Sequence, residues 1–238
     1  MKALVRGMGW ITAAGMGTGQ TGCDFTMPEG EIPAIDYKEI FSDAFPRFGR
    51  LDPFSRLGLC AVALALKDAG LERWQHKRGI GLIASTVFGC LSTDMTYYQT
   101  VIPDNGALAS PNLFAYTLSN IFLGEAAIRL GLTGPGFAVN EGEKRLTAIR
   151  MAMESLAWGE CPVMVAGFCD IACPEQLGIL PKVAPGAAFV VLEFFEEEKQ
   201  GISGPVIAAD AEGRFWVGKT RVEGWIELIG MLLRPKIT

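Results

Sequence analysis

Along this chain, short runs that are apolar throughout alternate with longer segments whose apolar residues recur at helical spacing. Residues 3–12 (ALVRGMGWIT), 79–86 (GIGLIAST), 136–139 (GFAV), 162–168 (PVMVAGF) and 186–194 (GAAFVVLEF) are apolar runs of strand length. A continuous run of this kind is the pattern of a strand buried on both faces. PVIAAD (205–210) predicts one more strand. Helices are predicted between them. Asp52 and Pro53 supply an N-cap and a first helical position for a helix that stops at Gly70. It is apolar nearly all round from Leu57 to Leu66, so it should be covered on most sides. Residues 91–101 read as helical. Ser110-Pro111 open a helix over 110–132, with Leu113, Tyr116, Ile121, Ala127 and Leu130 at helical spacing. A further helix is predicted over 141–158. Strands alternating with helices predict an α/β fold on a mostly parallel sheet.

Residues 18–50, rich in Gly, Pro and acids, read as an irregular excursion inside a domain spanning 1–210. Residues 211–238 form a tail of the same domain. In it Val222, Trp225, Ile229 and Leu232 lie at helical spacing and Pro235 ends the pattern. This amphipathic helix is expected to pack on its own domain, or alternatively on a partner. The acidic run at 196–198 reads as a solvated strand exit.

Composition narrows the function classes. Half of the 238 residues are apolar and a fifth are charged, so a sizeable core can form. A net charge of −5 argues against nucleic acid and anionic membrane as partners. No apolar run approaches the ~18 residues of a membrane span. The glycines at 7, 9, 15 and 17 break up the N-terminal run, which therefore reads as a strand and not a signal peptide. The six cysteines show no CxxC spacing and no neighbouring His, which predicts no metal site and no cofactor. Cys60 and Cys169 read as buried free thiols in a reducing cytoplasm. The single histidine, His76, lies in a charged loop, so chemistry that needs two histidines is out of reach.

The stretch GFAVNEGEKRLTAIR (136–150) carries the candidate chemistry. A strand turning sharply into a helix is where many enzymes place a nucleophile, because the helix N-terminus stabilises negative charge. This turn holds Asn140, Glu141, Gly142 and Glu143, with no Cys, Ser or His. Asn140 and Glu143 have the spacing of a capping box. A carboxylate at a helix start contributes about 0.3–1 kcal/mol, and such a site lowers its pKa, making it a poor base. The turn thus reads as a scaffold in which a stable anion replaces a reactive one.

Taken in order, ALVRGMGWITAAG, LDPFSRLGLCAVALALKDAGL, RGIGLIASTVFG, SPNLFAYTLSNIFLGEAAIRLGLTGPGFAV, GECPVMVAGFCD and APGAAFVVLE resemble the N-terminal half of a β-ketoacyl synthase over about residues 3–195. The resemblance implies a thiolase-like fold, here a single α/β/α half with a mixed sheet of about five strands. It places the family's catalytic cysteine at Gly142, or at Glu141 or Glu143 with one residue of slippage. The two histidines of the family's second half have no counterpart here. In the following helix, Glu143, Thr147, Arg150 and Glu154 form a polar stripe opposite Leu146, Ile149, Met153 and Leu156. Burying that stripe unpaired would cost several kcal/mol. The face that a second half would cover is therefore expected to be wet or ion-paired, and its loss a settled feature.

The resemblance further implies a dimer in which the strand at Phe137–Val139 pairs across the two-fold. Some members lacking the cysteine act as chain-length-factor-like subunits beside an active synthase, which an acyl carrier protein supplies. By that resemblance Thr86, Phe88, Cys90, Tyr97, Tyr98, Phe114 and Tyr116 would lie near the interface and acyl cavity. Two other readings stay open. One is a small acyl-binding or acyltransfer enzyme using a different nucleophile such as Cys90, exposed beside a glycine. The other is a homo-oligomeric scaffold with no acyl ligand.

Overall fold

The computed structural model describes residues 1–20, 24–142, 144–172, 183–195 and 204–233. The predicted strands form where expected: β1 (Lys2–Thr12), β3 (Ile80–Thr86), β4 (Gly136–Asn140), β5 (Val163–Asp170), β6 (Gly186–Phe194) and β7 (Val206–Ala209). Three further short strands, β2 (Gly15–Thr18), β8 (Phe215–Val217) and β9 (Thr220–Val222), bring the sheet to nine. Its order is β4-β3-β5-β6-β1-β7-β8-β9, with β2 on β1. The sheet is mixed, larger than the expected five strands and less parallel. Among the described strands β3 runs parallel with β4 and with β5, and the other pairings are antiparallel. The continuous apolar pattern reports burial on two faces, which β6 reaches in an antiparallel setting as readily as β3 does in a parallel one.

Side chains alternate across the sheet, giving one core on each face. Phe189 and Val191 of β6 and Val165 of β5 point into the first core. There they meet α1 (Pro53–Asp68), α4 (Ile121–Leu130) and Phe41, Phe45 and Phe48 of the excursion. Val190 and Leu192 of β6 and Met164 and Phe168 of β5 point into the second, under α5 (Thr147–Ala157) and α6 (Trp225–Leu233). Helix α1 begins as predicted: the Asp52 carboxylate accepts from Ser55 N–H at 3.0 Å, and Pro53 follows. Gly9 is where β1 runs hard against α1, since a Cβ there would stand 2.3 Å from Ala65 N.

Two predicted helices are shorter than the periodicity suggests. The 110–132 segment divides into α3 (Pro111–Phe114) and α4. Thr117 sits in the break and its hydroxyl donates to the Phe114 carbonyl, a local bond that competes with the helical ladder. The 141–158 helix begins only at Thr147, because Asn140 is still paired with Thr86 as the last residue of β4. Arg145 then adopts φ 52°, a left-handed conformation that no helix interior accommodates. Asn140 is therefore not the N-cap. Its expected capping partner, Glu143, lies outside the described residues, as does the acidic run at 196–198. The polar stripe of α5 turns outward: Arg150 is exposed and pairs with Glu154 at 3.3 Å.

Helix α6 packs against the second core. Trp225, Leu228, Ile229 and Leu232 are buried in the second core, and the tail also adds β8 and β9 to the sheet. No helix among the described residues is long and apolar enough to cross a membrane.

Candidate functional site

The turn after β4 sits where the C-terminal ends of β3, β4 and β5 lie side by side, Thr86 opposite Asn140 and Ser85 opposite Phe168. Glu141 leaves β4 with its N–H still bonded to the Thr86 carbonyl at 3.0 Å. Its side chain then turns onto the start of α5. One carboxylate oxygen accepts from Thr147 N–H at 2.9 Å and from the Ser85 hydroxyl; the other accepts from the Thr147 hydroxyl at 2.6 Å. The Ser85 oxygen in turn accepts from Ala148 N–H at 3.0 Å. Two of the orphan N–H groups of the helix start are thus satisfied, one by a carboxylate and one by a hydroxyl. The helix N-terminus does hold an anion, as the sequence suggests, but the group is Glu141 and the route is not a capping box. Three hydrogen bonds engage this carboxylate locally, so it serves as a side-chain cap on the start of α5.

Beneath the turn is a buried ion pair that the sequence reading missed. Asp170, fully buried at the end of β5, accepts from Arg145 Nη1 at 3.0 Å. Its other oxygen accepts from the Thr86 hydroxyl at 2.8 Å and from the N–H groups of Val87 and Phe88 at 2.9 and 3.0 Å. The Arg145 guanidinium lies 3.9 Å over the Phe168 ring. The carbonyl of Arg145 accepts from the Trp225 indole N–H at 2.9 Å. A charged pair taken out of water needs further hydrogen bonds to offset desolvation, and here three of them fall on Asp170. The signal was present in the sequence as polar residues ending apolar strands: Ser85 and Thr86 after 80–84, and Asp170 after 163–169.

The residues predicted for an acyl cavity divide into two groups. Thr86, Cys90 and Tyr116 are buried. Thr86 is committed to Asp170, and its oxygen also accepts from Gly89 N–H at 2.6 Å. Phe88, Tyr97, Phe137 and Val139 are half-buried, whereas Tyr98 and Phe114 stand out in solvent. The Tyr97 and Phe114 rings meet at a tilt, centroids 5.4 Å apart, at the surface where α2 (Leu91–Val101) passes α3. Cavities of about 1160, 380 and 280 Å³ are lined by other residues.

Cys90 does not have the exposure expected of a nucleophile. It is 4% exposed, and burial pushes its thiol up to about 11, with nearby Asp94 adding to the shift. Cys60 is pushed up to about 12 and Cys169 well above the ordinary range, both chiefly by burial. Desolvation disfavours the thiolate, which is the reactive species. With its thiol near 11 against an ordinary 9.0, Cys90 should alkylate about a hundredfold more slowly than an exposed cysteine at pH 7.5. Iodoacetamide labelling followed by peptide mass spectrometry measures this. Labelling of Cys90 at the rate of a free thiol would contradict the buried geometry.

These features define an α/β protein of thiolase-like fold, with a strand–turn–helix junction between β4 and α5. The β-ketoacyl synthase N-terminal domain family matches residues 29–183, and the chain belongs to that family. Over 145 residues it is 29% identical to 3-oxoacyl-acyl-carrier-protein synthase 2 of Vibrio cholerae, covering 60% of this chain but 34% of that enzyme. The chain thus spans about a third of that relative's length. Among solved structures it resembles the ishigamide ketosynthase/chain length factor, with TM-score 0.65 and 15% identity over 81% of this chain and 58% of that one. It also resembles a ketosynthase in complex with its chain length factor from Xenorhabdus doucetiae, with TM-score 0.57 and 16% identity over 83% of this chain and 81% of that one. At these identities the structural likeness speaks to the fold.

Proposed function

We propose that this chain is a non-catalytic β-ketoacyl-synthase-like subunit that pairs with an active ketosynthase and helps shape the cavity for its acyl chain. The observation that carries this reading is the Glu141 carboxylate, locked onto the start of α5 where the family's thiol would use the same helix N-terminus. A carboxylate held by Ser85 and Thr147 offers neither a thiolate nor a free base.

Two surface features support the pairing. Among the described residues strand β4 ends the sheet and bonds to β3 on one side, leaving an edge of the kind that recruits another strand. Asn140 at its end lies beside Thr86, from which the chain passes directly into α2. From there to α4, Tyr98, Ile102, Leu108, Phe114 and Leu118 are each 60–72% exposed. Between Arg78 and Glu125 the only charged residues are Asp94 and Asp104. A surface rich in aromatics and poor in charge, next to an open edge, fits the core of a lasting protein interface. The pathway this reading implies is fatty-acid, polyketide or polyene synthesis, with an acyl carrier protein acting through the partner. Free buried thiols at Cys60, Cys90, Cys161 and Cys169 are in keeping with a cytoplasmic setting.

Incubation of the isolated protein with an acyl-pantetheine thioester, followed by intact mass spectrometry, tests the non-catalytic half of the proposal. The expected spectrum is that of the unmodified chain. A stoichiometric acyl adduct, on Cys90 or elsewhere, would favour a small acyltransfer enzyme instead.

A further inference from the structure

The tail helix touches the degenerate turn at one residue, and the contacts continue from there to the apolar face of α2. Trp225, in the first turn of α6, donates its indole N–H to the Arg145 carbonyl and packs on Phe168 with ring centroids 5.1 Å apart. Arg145 lies over that same Phe168 ring, so it and Trp225 both rest on one aromatic. Arg145 holds φ 52°, which a non-glycine residue keeps only when its surroundings dictate it. Its guanidinium grips Asp170, whose second oxygen fixes the N–H groups of Val87 and Phe88. Those two residues are the first of the loop that becomes α2. Every link is a direct contact between buried or half-buried groups, and no bulk solvent intervenes to absorb a displacement.

We infer that α6 is a latch: its docking through Trp225 sets the conformation of Arg145, and through Asp170 the order of residues 86–90 and the placement of α2. The tail would thereby tune the surface that meets the partner without touching it. That last consequence rests on the partner-subunit reading; the coupling itself does not. The device follows from chemistry on four elements. The indole N–H is a polar group that α6 sends into the turn, and Asp170 is the acceptor on which the turn and the loop converge.

The test uses the full chain with Trp225→Phe, which keeps an aromatic on Phe168 and removes the N–H donor, and Ile226→Ala as a control at an exposed position of the same helix. Amide hydrogen exchange is followed residue by residue, with the central strand β6 reporting that the fold is intact. Loss of one hydrogen bond at a strained residue should raise exchange at Val87 and Phe88 about fivefold in Trp225→Phe, with no change in Ile226→Ala. Affinity for the ketosynthase partner should fall with it. Faster exchange confined to α6, with Val87 and Phe88 as protected as before, would overturn the latch. Faster exchange at Val87 and Phe88 with partner affinity unchanged would sustain the latch and count against α2 as the partner-facing surface.

Discussion

Replacing Asp170 with alanine should destabilise the protein by about 3–5 kcal/mol, a large part of what a domain of this size has in reserve. The reason is the asymmetry of buried charge. The side chain is fully buried and accepts four hydrogen bonds, one of them from the Arg145 guanidinium. Removing it leaves Arg145, itself 5% exposed, without the carboxylate it faces. It also strands the N–H groups of Val87 and Phe88 and the Thr86 hydroxyl. Urea unfolding gives the number. Arg145→Met combined with Asp170→Leu sharpens the interpretation. If the ion pair were the whole effect, the apolar pair would be near neutral. Because Asp170 also serves three partners at the end of β3, the double variant should stay well below wild type. A cost under about 1 kcal/mol for Asp170→Ala would mean that water already solvates the site, contrary to the burial described.

The second large effect is on association. Leu108→Asp combined with Phe114→Asp should weaken binding to the ketosynthase partner by about a hundredfold or more, with the unfolding midpoint of the isolated chain unchanged. Both residues are more than 60% exposed, so neither holds the monomer together. An apolar interface that must desolvate two carboxylates loses affinity steeply. Sedimentation or calorimetric titration against the partner reads it. Unchanged affinity would move the interface away from α2 and α3, leaving the β4 edge to be tested by itself.

The sequence revealed the strands of the core far better than the junctions between elements. β3, β5 and β6 were legible because burial on two faces leaves a run of apolar residues that no surface element shows. Their relative directions were not. An apolar strand carries no mark of whether its neighbour runs with it or against it, so the antiparallel β5–β6 pairing does not show in a pattern that predicts a mostly parallel mixed sheet. The start of α5 was misplaced because periodicity continues through Arg145 and Leu146, while the backbone is turned out of the helix by contacts with Asp170 and Trp225, distant in sequence. That something other than a thiol occupies the helix N-terminus was readable from the absence of Cys, Ser and His in the turn. Which carboxylate it is, and that Ser85 and Thr147 hold it, required the neighbouring strand. The candidate cavity residues were legible as aromatic and apolar, but not as inner or outer. Tyr116 is core and Phe114, two positions away, is solvent-facing, because the chain between α3 and α4 leaves the helical path.

The central claim is that this chain works beside a catalytic partner and not alone. Affinity purification of the tagged protein from its own host, with mass spectrometry and stoichiometry of the bound chains, tests it most directly. The expected catch is a ketosynthase carrying the cysteine that this turn lacks, recovered at close to one copy per copy and lost with the Leu108→Asp, Phe114→Asp variant. The protein emerging without any ketosynthase, alone or as a stable assembly of identical chains, would contradict it.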